Sequence, residues 1–370
     1  MFRHKTIGLG LLLAVSVNSV LAQGELRRGS SGSGEEPALR LPNPPARRRS
    51  TSKGTASTSS RPLKPMTGQT GSVSTNVPPT TPNNPENTVT QTNDRVDEEI
   101  ELGNMARDLG NAKLDQAQDS PTDEIMAEVV AQYGSARRHY DAAAKLDPSD
   151  YRPYFGLGAI YVDGLQRHFA YSHEEAVKNF QLAIERNPTF AESYVGFAYA
   201  ASQNKQYSEA ISAALKAIQL KPNYPESYYV LGYSYYMADR TEEAIQPFRR
   251  AISIKPTYDR AYRTLGSVFI TLKRPNDRLD LFKQWVAASP QKPYAWLELG
   301  SAYYMLSEYE QAIVAFKQAI KLKANWPTAH YQLGLCYHRL GDQNAAMEQY
   351  RILQKLDAQS ANAFLRLINR

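Results

Sequence analysis

Trp296-Leu297-Glu298-Leu299-Gly300-Ser301-Ala302-Tyr303, followed by Ala312 and Phe316, is the stretch on which the fold turns. Its apolar residues stripe one side of a helix at a period near 3.6 residues. A small residue in mid-stripe removes bulk where a second helix must come close. The same frame returns 34 residues away in both directions. Tyr228, Leu231, Gly232, Tyr235, Ala244, Phe248, Ala251 and Pro256 fill it completely. Tyr194, Phe197, Ala198, Ala210, Ala217 and Pro222 fill it on one side of that unit, and Tyr262, Leu265, Gly266, Phe269, Phe282 and Pro290 on the other. His330, Leu333, Gly334, Tyr337, Ala346 and Tyr350 close the series.

Two further units lie upstream. Tyr154, Leu157, Gly158 and Tyr161 pair with Ala176, Phe180, Ala183 and Pro188 after a six-residue insertion. Leu102-Gly103 pairs with Ala136, Tyr140, Ala143 and Pro148 across a 21-residue expansion. That expansion contains Ser120-Pro121-Thr122-Asp123-Glu124, a helix-cap sequence with Pro at a first helical position. The pattern W-x2-L-G-x2-Y…A-x3-F resembles the tetratricopeptide (TPR) repeat family and covers nearly all of the chain that can fold. The resemblance implies an all-α TPR helix-turn-helix solenoid, a right-handed superhelix of about seven repeats, preceded by a disordered tail. The repeats are expected at about 96–150, 151–190, 191–224, 225–258, 259–292, 293–326 and 327–360, and residues 361–370 as a C-terminal capping helix. No unit can bury its apolar face alone, so stacking stabilises the array. Almost every aromatic in the frame is accordingly expected to be core. One unit departs from the pattern: Arg278 and Trp285 stand at positions 20 and 27, where the family has Ala. Two large residues there are expected to splay the helix pair and change the local pitch.

Composition divides the 370 residues sharply. The net charge is +6, yet residues 96–370 carry 31 Lys/Arg against 32 Asp/Glu, so the excess lies upstream. All 24 tyrosines fall between Tyr133 and Tyr350, and residues 23–132 hold no aromatic at all. Residues 23–95 are rich in Ser, Thr, Pro and Gly, with ten basic and five acidic residues, and are expected to form a disordered basic linker. Arg47, Arg48 and Arg49 offer weak contact to an anionic surface, the plainer alternative being a soluble linker. Nucleic acid is not expected as a partner, because aromatics are not interleaved with the basic residues. Residues 1–22 read as a secretory signal peptide: Arg3 and Lys5, an apolar run from Ile7 to Val17, and small residues near Ala22. The run is too short to span a bilayer. Export, a lone Cys336 and no usable glycosylation sequon favour a periplasmic or extracellular place in a bacterial cell envelope.

Function is expected on the face away from the packing stripe. In the TPR family, positions 2, 5, 9, 12 and 13 of the first helix line the concave groove. They map here to Tyr199, Tyr229, Tyr233, Tyr236, Met237, Arg260, Arg263, Tyr294, Tyr304, Met305, Tyr331, His338 and Arg339. Tyr and Arg are frequent interface anchors, so this is a candidate groove for a peptide or partner helix. The alternative is that some of these tyrosines pack on neighbouring helices. The Lys and Asn by which some TPR domains clamp C-terminal carboxylates are absent from positions 5 and 9, although Arg260 and Arg263 offer a grip on an acidic group. There is no H-E-x-x-H, P-loop, G-x-S-x-G or dinucleotide fingerprint, so no enzyme, cofactor or metal is expected. The sequence therefore describes an exported, non-enzymatic protein-interaction scaffold. Its alternatives are an assembly factor of an envelope (outer-membrane, pilus or secretion) complex and a regulatory subunit of an envelope enzyme.

Overall fold

A computed structural model describes residues 39–46, 85–117, 122–164 and 172–369. The signal sequence, the Arg47-Arg48-Arg49 run and most of the linker lie outside the described residues. Those described hold fifteen α-helices and no strand. Fourteen form seven consecutive pairs: α1 (Pro85–Ala117) with α2 (Asp123–Leu146), α3 (Arg152–Gly164) with α4 (His173–Arg186), and α5 (Ala191–Gln203) with α6 (Tyr207–Leu220). They continue as α7 (Pro225–Met237) with α8 (Thr241–Ile254), and α9 (Asp259–Thr271) with α10 (Pro275–Ala288). The last are α11 (Pro293–Met305) with α12 (Tyr309–Leu322), and α13 (Pro327–Arg339) with α14 (Gln343–Leu356). The fifteenth, α15 (Ala358–Ile368), closes the end. The chain is an all-α helix-turn-helix solenoid.

Three local devices repeat along it. The first is the turn inside each pair. Lys205, Asp239, Lys273, Ser307 and Gly341 occupy the same frame position and all have φ between +55° and +81°. A left-handed residue lets the next amide reach back five residues, as in the bonds Gln206 N to Ala201 O (2.8 Å) and Arg274 N to Phe269 O (2.8 Å). Four of the five are not glycine, so stacking holds a conformation that L-residues disfavour. The second device ties neighbouring repeats. Tyr154, Tyr194 and Tyr228 donate from their hydroxyls, and Trp296 from Nε1, to the carbonyls of Pro148, Pro188, Pro222 and Pro290 in the preceding turn. The third is close approach. A Cβ on Gly300 would sit 2.6 Å from Phe316 and one on Gly266 2.4 Å from Phe282, so glycine in the stripe is what lets the aromatic ring fill the space between helices.

The pair α9–α10 breaks the second of these regularities. Trp285 is fully buried, stacks on Tyr262 at 5.5 Å and 5°, and donates from Nε1 to Asp259 (2.9 Å). Tyr262 thus gives up the turn bond its counterparts make, and its hydroxyl is buried with no partner among the described residues. Burial raises that hydroxyl's pKa to about 12. Arg278 is buried too, pairs with Glu298 (2.8 Å) and lies over Phe282. Burial lowers its pKa, partly offset by Glu298. The two helices of this pair approach each other less extensively than those of any other pair, as bulk at positions 20 and 27 requires. Neighbouring first helices approach along the array, most closely α5 with α7 and least closely α9 with α11, while successive second helices make no comparable approach. The solenoid therefore carries its first helices on the tighter, inner side.

Both ends differ in detail from the sequence expectation. The first helix begins at Pro85, inside the stretch read as linker. Its own lack of aromatics does not prevent packing, because α2 supplies them. Tyr133 and Tyr140 are fully buried against Gly110 and Gly103 of α1, and the cores they help form take in Ala106 and Leu114. At the far end α15 begins at Ala358, capped by the Asp357 carboxylate on the amides of Gln359 and Ser360. Phe364 sits against Gly334, closing the last repeat.

Candidate peptide-binding face

The first helices carry the candidate residues, and the structure divides those into two groups. Tyr199 and Tyr229 are buried, and so is Arg260, only 3% exposed. Arg260 Nε donates to the Tyr229 hydroxyl (2.9 Å) and Nη2 to the Tyr199 hydroxyl (3.3 Å), with the guanidinium over both rings. The expectation that these three meet a ligand, and that Arg260 grips an acidic group, is corrected here: they join α5, α7 and α9 to one another. Large planar groups at facing positions satisfy each other's polar tips and leave no surface for a partner.

The second group reaches solvent. Tyr233 is half-buried beside Tyr199 at 5.3 Å, and Tyr236 is half-buried with its hydroxyl near Thr271. Arg263 lies over Tyr294, whose ring edge meets Trp326 at 4.7 Å. Tyr304 contacts Tyr309 and accepts a bond from Arg339 Nε. Met305 is 47% exposed, its sulfur within reach of Arg278, while Tyr331 packs edgewise on Phe364. Met237 is half-buried. These residues form a half-exposed Tyr, Met and Arg surface from α7 to α13. Cys336, on the packing side of α13, is fully buried and burial pushes its thiol pKa up to about 12, far from a nucleophile.

The most developed site lies on the first helices of the first three repeats, and the sequence mapping named none of its residues. Residues 39–46, from the stretch read as linker, are seated against α1, α3 and α5. Leu39 and Leu41 are 1% and 4% exposed and belong to the main core. Leu41 Cδ1 lies so close to Gly196 that a Cβ there would be at 2.9 Å. Beside them Arg107 is buried, with Nε on Asp163 (2.7 Å), Nη2 on the Leu41 carbonyl (2.8 Å) and Nη1 on Asn43 Oδ1 (3.1 Å). The other end of the Asn43 amide donates to Asp108 (2.8 Å). Arg40 donates to Asp115 (2.6 Å) and to the Asn111 carbonyl. Pro45 and Ala46 line a cavity with Asp150, Tyr151 and Arg152. The segment thus runs opposite to α1, from its C-terminal part back toward the loop before α3.

The receptor side is rigidly held. Asp163 also accepts from Asn111, whose Oδ1 takes the Tyr133 hydroxyl, and Arg152 is locked between Asp150 and Asp97. Burial by itself would lower the Arg107 pKa; the adjoining Asp163 carboxylate outweighs this and raises it. In the frame used above, Arg107 and Asp108 stand at positions 12 and 13 of the first repeat and Asp163 at position 13 of the second. Carrying the groove positions upstream would have found them. Leu39-x-Leu41, two apolar residues at a spacing of two, was the only local signal in the segment itself.

Models of the tetratricopeptide repeat match residues 172–225, 195–259 and 327–360, and a further TPR repeat model matches 300–341. The chain therefore contains TPR repeats. Comparison with curated protein sequences gave no match. Among solved structures it is similar to Pseudomonas aeruginosa pilF (20% identity, 60% of this chain and 98% of that one, TM-score 0.46). It is also similar to YrrB, described as a TPR protein with an unusual peptide-binding site (21% identity, 51% and 99%, TM-score 0.41). A third is MamA of Desulfovibrio magneticus RS-1 (23% identity, 46% and 96%, TM-score 0.40).

Proposed function

We propose that this protein is an exported, non-enzymatic scaffold that binds a peptide or partner helix along the first-helix face of its TPR array. The observation that carries this reading is that the face already holds an extended segment, with a carbonyl, an amide and two leucines each met by complementary groups. Side chains at the same frame positions further along present Tyr233, Tyr236, Arg263, Tyr304 and Met305 to solvent, a composition suited to capture by aromatic and cationic anchors. Export rests on the leader at residues 1–22, and a role in assembling an envelope complex or regulating an envelope enzyme is a narrower version of the same reading. Tyr233→Ala with Tyr236→Ala and Tyr304→Ala, in chain recovered from envelope fractions, is expected to lower partner capture at least tenfold with unchanged helicity. Undiminished capture would reject this face as the binding surface. Tyr229 is left intact, since removing a fully buried ring would unfold its surroundings.

A further inference from the structure

We propose that the N-terminal part of this face is a sequence reader for an extended Leu-Arg-Leu-Pro-Asn segment, that residues 39–43 occupy it in cis, and that a free peptide of the same chemistry binds only by displacing them. The proposal deepens the binding reading and rests on its premise that the first-helix face holds peptides.

The central element is a pincer for one amide. A primary carboxamide is the side-chain group that can accept from Arg107 Nη1 at one end and donate to Asp108 at the other. Aspartate at residue 43 would set two carboxylates together, and leucine would leave both receptor groups without their bond. Arg107 itself cannot swing away, because Asp163 and Asn111 hold the far side of the network. It also takes the Leu41 carbonyl, which fixes the register of the segment by main chain rather than by side chain. Leu39 and Leu41 are the apolar anchors, and Gly196 makes room for the second. Pro42 follows Leu41 on the exposed side and has no amide hydrogen to satisfy. Arg40 meets Asp115 at the rim, adding charge selectivity with little affinity. Each position from 39 to 43 thus has a physical reason for its residue type.

Occupation in cis has a measurable consequence. Tethering keeps the segment at an effective concentration of roughly millimolar order, so a free peptide with a dissociation constant of about 10 μM would be held off by a factor of about 100.

A fluorescein-labelled synthetic peptide with the sequence of residues 38–46 is titrated by anisotropy against the full chain and against a full-chain Leu41→Asp/Asn43→Asp variant whose own segment is released. The variant is expected to bind the peptide about 100-fold more tightly than the wild type. A peptide with Asp in place of Asn is expected to bind it at least tenfold more weakly, and adding Asp108→Asn to the receptor is expected to recover most of that loss, because the new amide donates to the aspartate. A purely structural role for Asp108 would not reverse the preference. Equal affinity of wild type and released chain, or indifference to Asn against Asp, would overturn the proposal. So would a wild-type dimer that becomes monomeric on release, since the segment would then be exchanged between copies. If circular dichroism shows the double variant unfolded, Asn43→Asp alone, at a half-buried position, is titrated with the Asn peptide instead; a gain of about tenfold over wild type is expected, and no gain would overturn the proposal. The tyrosine variants above probe the other end of the face, so the two readings fail separately.

Discussion

Replacing Trp285 with alanine restores the residue that the repeat frame prefers at position 27, and the structure requires it to be strongly destabilising. The indole is fully buried, stacked on Tyr262 and bonded to Asp259. A large aromatic buries roughly 150–250 Å², worth about 4–6 kcal/mol at about 25 cal/mol per Å². Truncations of buried Trp to Ala cost about 3–5 kcal/mol once partial relaxation is included. Losing the Nε1 bond removes about 1 kcal/mol, and freeing the Tyr262 hydroxyl to find the turn carbonyl its counterparts use returns about as much. The expected net loss is therefore about 4 kcal/mol. It is read by urea unfolding followed at 222 nm and by amide exchange in α9 and α10, where faster exchange should appear first because the two helices of this pair meet less extensively than those of any other pair. Trp285→Phe keeps the stacking and is expected to cost about 1–2 kcal/mol. A Trp285→Ala chain as stable as the wild type, or more stable, would refute the idea that this repeat has rebuilt its core around the indole and would restore the repeat pattern as the better guide.

Three other outcomes follow from single features. Lys273→Gly places glycine at a φ of +55° and is expected to stabilise the chain by about 1 kcal/mol in urea unfolding, whereas Gly341→Ala, at +81°, should destabilise it by a similar amount. Cys336 is expected to stay unlabelled by a maleimide at pH 8 in the folded chain and to react within minutes in denaturant, because burial raises its thiol pKa to about 12. Asp357 holds a lowered carboxyl pKa through bonds from Ser360 and Gln359. Its capping contribution is thus present above the ordinary 3.8 and is lost as the pH falls through the lower folded value, and Asp357→Ala should expose α15 to proteolysis at neutral pH with a loss of about 1 kcal/mol.

The helices, their pairing and the odd unit were legible in the primary sequence because each depends on a short-range regularity. Gly300 before Phe316, repeated every 34 residues, states both the period of the helix and the closeness of its neighbour. The groove was legible only in part. Frame position tells which way a side chain leaves its helix, and Tyr233, Tyr304 and Arg263 do reach the surface. It does not tell whether another side chain is waiting there, and Arg260 closes over Tyr199 and Tyr229 from 61 and 31 residues away.

Composition likewise gave the correct reason for the wrong boundary. An aromatic-free stretch cannot build a core alone, but Pro85–Ala117 borrows its aromatics from α2, and Leu39 and Leu41 borrow a core from α3 and α5. What the sequence by itself determined is everything set by neighbours three, four and 34 residues apart: the all-α solenoid, its units and its small-residue contacts. Only the tertiary structure decided which charges and amides meet. Arg107 finds Asp163 across 56 residues and the Leu41 carbonyl across 66, and no local pattern encodes a distance that exists only after the repeats have stacked.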